Sequence, residues 1–420
     1  MTTADELTAN EPVWEMWNPL DPALAEDPYP RYAALRRRDP VYFEPLLGWW
    51  FVTGHDEASQ VLREPGGELR FEEFQQMRMG RDMSNEPYCR GLRHFVPTVG
   101  LDDHRRIRAT FKKHFTIKAV RALRDQVTAV AHRLVDAMEP QSSAELLHDF
   151  AVPLPLATIS DLLDISPDDQ EQIADYLRHF LLAIQMLPMD DDKLAKANAS
   201  ISGLQAHFAR IVARRRQDLG EDLLSMLIRE ADDGALSEEE LIANAWGLYA
   251  GGQDTTAASI CAAVTMLLEN PGQLERLRED PALLPAAVEE ALRFAGPSQA
   301  THRIFDHEIT VGGHTIPADT PVILYLIAAN RDPRWIEGGE EFNISCPRPA
   351  NHLTFSDGKH KCPGSHLARM TVEVALEVLI SRLDGLRLDG EVEWDTENLP
   401  SLSPRKVPIA WQLRTATTSS

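Results

Sequence analysis

Residues 355–369 read Phe355-Ser-Asp-Gly-Lys-His-Lys-Cys362-Pro-Gly-Ser-His-Leu-Ala-Arg369, and this stretch decides the fold. One cysteine stands in a glycine-flanked loop, directly before a segment whose apolar periodicity predicts a helix. Backbone amides and a helix N-terminus favour an anionic sulfur, because they present partial positive charge to it. Gly358 and Gly364 carry no Cβ and would let the backbone approach a flat ligand. A lone cysteine at such a junction is usually an ordinary reduced thiol. It is the loop as a whole, not the cysteine alone, that indicates a ligand-binding thiolate.

The loop resembles the haem-binding loop of the cytochrome P450 family of haem-thiolate monooxygenases. The family pattern is Phe, two residues, Gly, one residue, His or Arg, one residue, Cys, one residue, Gly. This chain places Phe355, Gly358, His360, Cys362 and Gly364 at those positions. The resemblance implies that Cys362 is the thiolate ligand of the iron of heme b, and that Phe355, His360 and Gly364 contact the cofactor.

Two positions of this loop depart from the family pattern. Ser356 stands where a glycine is usual, and Pro363 stands where an apolar residue such as leucine is common. Proline has no N–H, so we expect one hydrogen bond fewer to the sulfur. Neither departure removes the ligand.

Glu290-Ala-Leu-Arg293 matches the family's Glu-x-x-Arg. Side chains at i and i+3 share one helix face, where they can form an ion pair. In the family this pair braces the loop before the cysteine, together with an arginine of that loop. Here the corresponding loop reads Phe342-Asn-Ile-Ser-Cys346, so Arg348 is a candidate third partner and the assignment stays open.

The segment Ala250-Gly-Gly-Gln-Asp-Thr-Thr256 is unusual inside a long apolar helix. Each glycine costs about 1 kcal/mol in helix propensity relative to alanine, and a buried acid and alcohol need polar partners. The resemblance implies that Gly251 leaves room for O2 and that Asp254 and Thr255 deliver protons. Family members that use peroxide directly tend to lack this pair, so we expect O2 and two electrons.

Four basic residues match propionate ligands of the family. His104 and Arg108 form the bacterial His-x-x-x-Arg, Arg303 follows Pro297 by six residues, and His360 lies in the cysteine loop. Each alone is more often a solvated surface residue. Together with the cysteine loop they predict a binding site for the two haem carboxylates, which need cations at a partly buried edge.

Helical periodicity dominates the rest of the chain, and short alternating segments predict small sheets near residues 40–53 and 309–326. Ser237 is the predicted N-cap of the longest helix, which runs to Asn270 before Pro271. The fold class is therefore mainly α with small β-sheets. The resemblance implies the cytochrome P450 fold as a single triangular-prism-like domain over residues 1–420, with flexible segments at 1–20 and 413–420.

Composition excludes several other classes of protein. The formal net charge of -23 argues against a nucleic-acid partner, which needs a basic face. The sequence has no uninterrupted apolar stretch long enough for a membrane span, and its acidic start is unlike a signal peptide. Four scattered cysteines suggest neither disulfides nor zinc. We expect a cytoplasmic monomer.

The resemblance implies external redox partners, because the chain ends about where the haem domain should. We expect a ferredoxin and a ferredoxin reductase. Between His104 and His114 the sequence has five cations and no acid, and Lys359 and Lys361 flank His360, which together predict a docking face for an acidic ferredoxin.

The substrate is expected to be a mainly apolar small molecule, such as a natural-product intermediate, that is hydroxylated or epoxidised. The loop around Met77–Met83 is expected to be exposed and mobile. The expected pocket residues are Met79, Met83, Phe180, Leu248, Gly251, Ser298 and Leu402.

Two alternatives stay open. One is an oxidase of the same fold that couples or rearranges its substrate without inserting oxygen. The other is a haem-based sensor of small ligands without catalysis, which would not need Asp254 and Thr255.

Overall fold

The computed structural model of the protein describes residues 28–45, 47–184, 186, 188–345, 351–395 and 403–413. The expected flexible segment 1–20 and residues 414–420 of the expected segment 413–420 lie outside the described residues. So do Cys346, Arg348 and the pocket candidate Leu402.

Helices make up most of the described structure, as the periodicity predicts. They are α1 (Tyr29–Arg38), α2 (His55–Arg63), α3 (Phe71–Met79), α4 (Pro87–Leu92), α5 (Leu101–Lys112), α6 (Ile117–Ala122), α7 (Arg124–Met138), α8 (Pro153–Leu163), α9 (Pro167–Leu177), α10 (Phe180–Ala183), α11 (Asp191–Arg215), α12 (Leu223–Asp232), α13 (Glu238–Glu269), α14 (Pro271–Glu279), α15 (Leu284–Ala295), α16 (Leu326–Asn330) and α17 (Ser365–Arg382).

Helix α13 is the centre of the helical core. Its predicted capping box is present: the N–H of Glu240 donates to Ser237 Oγ (3.2 Å), and the N–H of Ser237 donates to Glu240 Oε2 (2.9 Å). The helix ends before Pro271, which starts α14. It packs against α8, α11, α15 and α17, so its middle is buried on several sides.

The strands form small sheets beside the helices. They are β1 (Val41–Glu44), β2 (Trp49–Val52), β3 (Ser143–Glu145), β4 (Ala300–Arg303), β5 (Ile309–Val311), β6 (His314–Ile316), β7 (Val322–Tyr325), β8 (Arg387–Leu388), β9 (Glu393–Asp395), β10 (Ser403–Lys406) and β11 (Pro408–Ala410). The largest sheet has the order β1-β2-β7-β4 and is antiparallel except where β2 pairs with β7. The others are β3-β11-β8 and the pairs β5-β6 and β9-β10.

The expectation of an exposed loop over residues 77–83 holds only in part, for Met77 and for residues 80–82. Helix α3 extends to Met79, Arg78 is only 5% exposed and Met83 is completely buried. Charged residues near Met77 suggested an exposed loop, but packing of α3 against its neighbours buries the guanidinium. Helices α6 and α7 meet at Leu123.

The turn before Cys362 shows why glycine is usual at position 356. Ser356 has φ +58° and ψ -174°, a region that is essentially restricted to glycine. Such a conformation costs about 1–3 kcal/mol for a residue that carries a Cβ. The serine therefore strains the loop, and its Oγ accepts a hydrogen bond from Arg303 Nη2 (3.5 Å).

Replacing Ser356 with glycine is therefore expected to stabilise the protein by about 1 kcal/mol, because the strain exceeds glycine's entropic cost. The measurement is the denaturant midpoint of the haem-loaded protein. Ser356→Ala is the matched control, since it removes the hydroxyl and keeps the strained Cβ. A Ser356→Gly protein no more stable than Ser356→Ala would contradict the assignment of strain.

Candidate active site

Cys362 lies in the turn that leads into α17. Its N–H donates to the carbonyl of Phe355 (2.9 Å), which closes the loop. Burial raises the pKa of the thiol, and the backbone N–H groups of Gly364 and Ser365 oppose that rise by hydrogen bonding to the sulfur. Both donors follow Pro363, which has no N–H of its own. The sulfur thus faces the positive ends of two amides.

The two loop glycines serve different purposes. Gly358 has φ +65°, and a Cβ there would lie 2.3 Å from the carbonyl oxygen of Leu62 on α2. Its role is backbone conformation and packing on α2, not the close approach of a flat ligand. A Cβ at Gly364 would be in ordinary contact with Cys362 Sγ at 3.9 Å, and Gly364 lines the cavity described below.

A cluster of basic side chains, called here the cation cluster, lies beside the cysteine loop. Arg303 on β4 is buried, and burial lowers its pKa to about 10. Burial and the nearby Arg303 lower the pKa of His360 to about 2, and both of its ring nitrogens are buried without a hydrogen-bond partner. The ring of His104 lies 4.6 Å from that of His360, and burial and Arg108 lower its pKa to about 4.

Arg108 and Lys359 complete the cation cluster. Arg108 donates to the carbonyl of Lys361, and burial lowers its pKa. Lys359 Nζ is buried without a hydrogen-bond partner, and burial lowers its pKa too. Within the described part of the chain, neither forms an ion pair with a carboxylate. Sequence reasoning placed Lys359 on a docking face, and only its burial reveals that it belongs to this cluster.

The glycines of α13 also differ from each other. A Cβ on Gly251 would meet open space, whereas a Cβ on Gly252 would lie 3.2 Å from the side chain of Ile159 on α8. Gly251 thus leaves the helix surface open, and Gly252 permits close helix packing. Burial raises the pKa of Asp254 to about 6. Thr255 Oγ1 donates to the carbonyl of Gly251 (2.8 Å), so its oxygen remains available as an acceptor.

One cavity of about 370 Å³ connects these parts of the structure. Its lining includes Cys362 and His360 of the cysteine loop and Gly251 and Thr255 of α13. The remaining walls are mainly apolar side chains, among them Phe95. The cysteine, the basic edge and the helix segment with the two glycines therefore meet around a single space.

The expected pocket residues divide into two groups. Leu248, Gly251 and Ser298 line the cavity. Phe180 packs edge-on against Trp246 in the core, and Met83 is buried in the same core. The Sδ of the partly buried Met79 accepts a hydrogen bond from the N–H of Met189 (3.4 Å). None of these last three lines the cavity as the structure describes it.

Glu290 and Arg293 form a fully buried ion pair on α15. Arg293 Nε and Nη2 donate to the two carboxylate oxygens of Glu290 at 2.7 and 2.8 Å. The guanidinium also donates to the carbonyls of Asn330 (2.8 Å), Gly339 (2.7 Å) and Glu341 (3.0 Å). In these contacts the pair holds the backbone of the segment that precedes the cysteine loop. Arg348, the candidate third partner, lies outside the described residues.

Comparison with known proteins identifies the family to which this site belongs. The model of the family "Cytochrome P450" matches residues 69–413. The cytochrome P450 monooxygenase PikC of Streptomyces venezuelae is 33% identical over 426 residues, covering 98% of this chain and 97% of its own. The 6-deoxyerythronolide B hydroxylase of Saccharopolyspora erythraea is 32% identical over 380 residues, covering 86% and 90%.

A solved structure of P450BioI in complex with hexadec-9Z-enoic acid ligated acyl carrier protein superimposes with a TM-score of 0.87. It is 28% identical and covers 93% of this chain and 100% of that chain. The chain belongs to the cytochrome P450 family and has its fold. It is accordingly a monooxygenase whose cofactor is heme b. Among the described residues, no helix is long and apolar enough to cross a membrane.

The side chains around the cavity fit this cofactor. Heme b brings two carboxylates and an iron that accepts a thiolate. The cation cluster offers buried nitrogens without partners in His360 and Lys359 and a buried guanidinium without a carboxylate in Arg303. Cys362 supplies a sulfur that lines the same cavity. The donor set is therefore complementary to the group that the family binds.

Cys362→Ala is expected to abolish the CO-difference band of thiolate-bound haem, because no other described cysteine reaches the cavity. Reduced protein with CO, recorded by absorption spectroscopy, gives the measurement. Cys89→Ala and Cys261→Ala are matched controls, since both cysteines are buried in the core and should keep the band. A thiolate-type band in Cys362→Ala would refute the assignment.

Proposed function

We propose that the protein activates O2 with two electrons from a ferredoxin and its reductase, and hydroxylates or epoxidises a mainly apolar small molecule. The observation that carries the proposal is the single cavity shared by Cys362 and the Gly251–Thr255 turn of α13. A purely structural helix has no need of an acid and an alcohol there, and neither does a sensor. We further propose that the chain forms one domain.

In this proposal Cys362 is the ligand of the iron, and Phe355 and Gly364 flank the cofactor. His104, Arg108, Arg303 and His360 hold the propionates. When bound, the haem supplies the chemistry of O2 reduction, and electron donation by the thiolate favours O–O cleavage. The contribution of the protein is to orient the cofactor, to exclude bulk water and to deliver protons.

Proton delivery is assigned to Asp254 and Thr255. A carboxyl with a pKa of about 6 gains and loses protons readily near neutral pH, and it is protonated below that value. The Thr255 hydroxyl donates a hydrogen bond to the Gly251 carbonyl (2.8 Å), so its oxygen can accept a hydrogen bond from a molecule in the cavity. Thr255 lines the cavity and Asp254 does not, so in this proposal Asp254 supplies protons to the site from behind Thr255.

The cavity walls support the choice of substrate class. Leu248, Phe95 and Ala300 contribute apolar surface, and Ser298 is one of several hydroxyl-bearing side chains among the lining residues. The relative from Saccharopolyspora erythraea is by name a hydroxylase of 6-deoxyerythronolide B. A natural-product intermediate of mainly apolar character fits both observations.

Thr255→Ala is expected to divert electrons to hydrogen peroxide while haem and substrate binding are kept, because the hydrogen-bonding hydroxyl is lost. The measurement is peroxide formed per NAD(P)H consumed, and we expect a rise of several-fold. Thr255→Ser is the matched control that retains the hydroxyl and should restore coupling. Equal coupling in all three proteins would rule out a proton-delivery role for Thr255.

Asp254→Asn extends the same experiment to pH. The fraction of Asp254 that is protonated decreases as pH rises through about 6, so turnover of the unchanged protein should fall over that interval. The asparagine variant should be slower and lack this dependence, with substrate affinity little changed. A variant that keeps the inflection would assign it to another group.

The expected docking face needs correction in its details. Arg105 pairs with Asp102 (3.2 Å), Arg106 pairs with Asp103 and Glu240, and Lys113 lies 3.7 Å from Glu230. Their charge is therefore largely compensated by acids from neighbouring turns and helices. These acids lie outside residues 104–114, so the sequence of that segment alone could not reveal them.

Of the basic residues on the expected docking face, Lys112 and Lys361 are exposed and remain without a compensating acid. Neither forms an ion pair in the described structure. Lys112 follows Arg108 by one turn of α5, and Arg108 bonds the backbone of Lys361, so the two lie on the cysteine side. They give an acidic ferredoxin a positive contact next to the haem thiolate.

The double variant Lys112→Glu/Lys361→Glu is expected to lower the rate of electron transfer from ferredoxin about tenfold at low salt and much less at high salt. Stopped-flow reduction under CO measures it. Arg105→Glu is the control, because a cation already paired with an acid should contribute less. A loss that is independent of salt would exclude charge steering as its cause.

A further inference from the structure

The guanidinium of Arg78 is a second buried cation without a counter-charge. It lies on the buried face of α3 with Phe71, Phe74 and Gln75, and the residue is 5% exposed. Nε, Nη1 and Nη2 are all buried, and none has a hydrogen-bond partner. An arginine has five N–H groups to satisfy, and leaving a charged group unpaired away from water is strongly unfavourable. Arg78 is separate from the cation cluster, so the haem propionates do not account for it.

The side chains around Arg78 offer no anion. The groups that act on its charge are the Tyr88 phenol and the Cys89 thiol. Burial raises the pKa of both, that of Cys89 to about 11, so both are neutral at pH 7. The Tyr88 hydroxyl already donates to Gln75 Oε1 (2.9 Å).

The carboxylates of the neighbouring segments are engaged elsewhere. Glu72 pairs with Arg93 (2.8 Å), Glu86 accepts from Asn198 (2.7 Å), and Asp82 accepts from the N–H of Ser84 (2.9 Å). The chain thus supplies acids nearby and directs none of them to Arg78.

Helix α3 is linked by side-chain packing to elements that line the cavity. One turn before Arg78, the ring of Phe74 stacks at 3.8 Å on His302 of β4, the strand that also carries the cavity-lining Ala300. On the other side Phe71 contacts Tyr88 of α4, in the same apolar cluster as the cavity-lining Val96. Arg78 does not itself line the cavity as the structure describes it, but it lies one turn beyond Phe74 on the helix that contacts both β4 and α4.

We propose that Arg78 binds the carboxylate of the substrate, so that the natural ligand is an apolar monocarboxylic acid whose body lies in the cavity. The proposal rests on the proposed function and names its substrate class. A guanidinium matches a carboxylate with two parallel hydrogen bonds, and a single cation in apolar surroundings balances one negative charge. A phosphate dianion would need further cations. The acid enters between α3 and α4 with its carboxylate at Arg78 and its apolar chain past Val96.

The test uses the haem-loaded protein and pairs of ligands that differ only in charge: saturated fatty acids of eight to sixteen carbons and their methyl esters. The low-spin to high-spin Soret shift gives each Kd. For the unchanged protein at least one acid should bind more tightly than its ester. Arg78→Met should weaken that acid roughly 10- to 100-fold, as expected for loss of a charge-assisted pair, and leave the ester unchanged. Arg78→Lys should retain part of the preference.

A second readout needs no ligand. If Arg78 awaits an anion, Arg78→Met removes an unpaired buried charge, and the substrate-free protein should unfold at a higher temperature. A purely structural arginine predicts the opposite, a lower unfolding temperature. The proposal is overturned if no acid binds better than its ester, if Arg78→Met binds the acid equally well, or if Arg78→Met is less stable. Failure of the proposed function would appear separately, as loss of the thiolate-type CO band or of O2 consumption in the unchanged protein.

Discussion

The positive charge beside Cys362 is the constraint on which the active site depends. Arg303 is buried without a carboxylate in the described structure, and Nζ of Lys359 is buried without a partner. The ring of His360 beside them is neutral, since its pKa is about 2, and its nitrogens also lack partners. The chain has a net charge of -23 and could have placed an acid there, yet the described structure places none in ion-pair contact. Desolvated charges of one sign oppose folding until an anion joins them. We therefore expect haem binding to stabilise this region by mass action.

The Glu290–Arg293 pair shows how the same protein treats a charge that is meant to be structural. Arg293 is as deeply buried as Arg303, but its guanidinium makes two hydrogen bonds to Glu290 and three to backbone carbonyls. A buried ion pair is tolerated when its remaining donors are satisfied. By comparison with Arg293, Arg303 has no carboxylate partner, and Arg78 has no hydrogen-bond partner at all. The difference separates the arginines that hold the fold from those that await a ligand.

How much the sequence predicts depends on whether the signal is local. The cap of α13 at Ser237, the Glu290–Arg293 spacing and the turn around Cys362 are encoded within a few residues, and they are recognised without a structure. Strand β3 is three residues long and pairs with β11, more than 250 positions away, so no local pattern announces it. Helix α3 was missed because its buried face contains Gln75 and Arg78, and polar residues on that face obscure the apolar periodicity.

Burial is the property that sequence reasoning could not supply, and it changes the interpretation of individual cations. Lys359 and Arg105 are both basic residues near the cysteine loop, but one is enclosed without a partner and the other is exposed beside Asp102. The same distinction applies to Arg78, which resembled a solvated loop residue. If one buried cation fixes the edge of the cofactor and another fixes the carboxylate of the substrate, charge alone determines the positions of both groups. The carbon that is oxidised then follows from the length of chain between the carboxylate and the position of Thr255, and the apolar walls need only exclude water and bend that chain. Selectivity for position in such an enzyme would reside in distance rather than in specific contacts along the substrate.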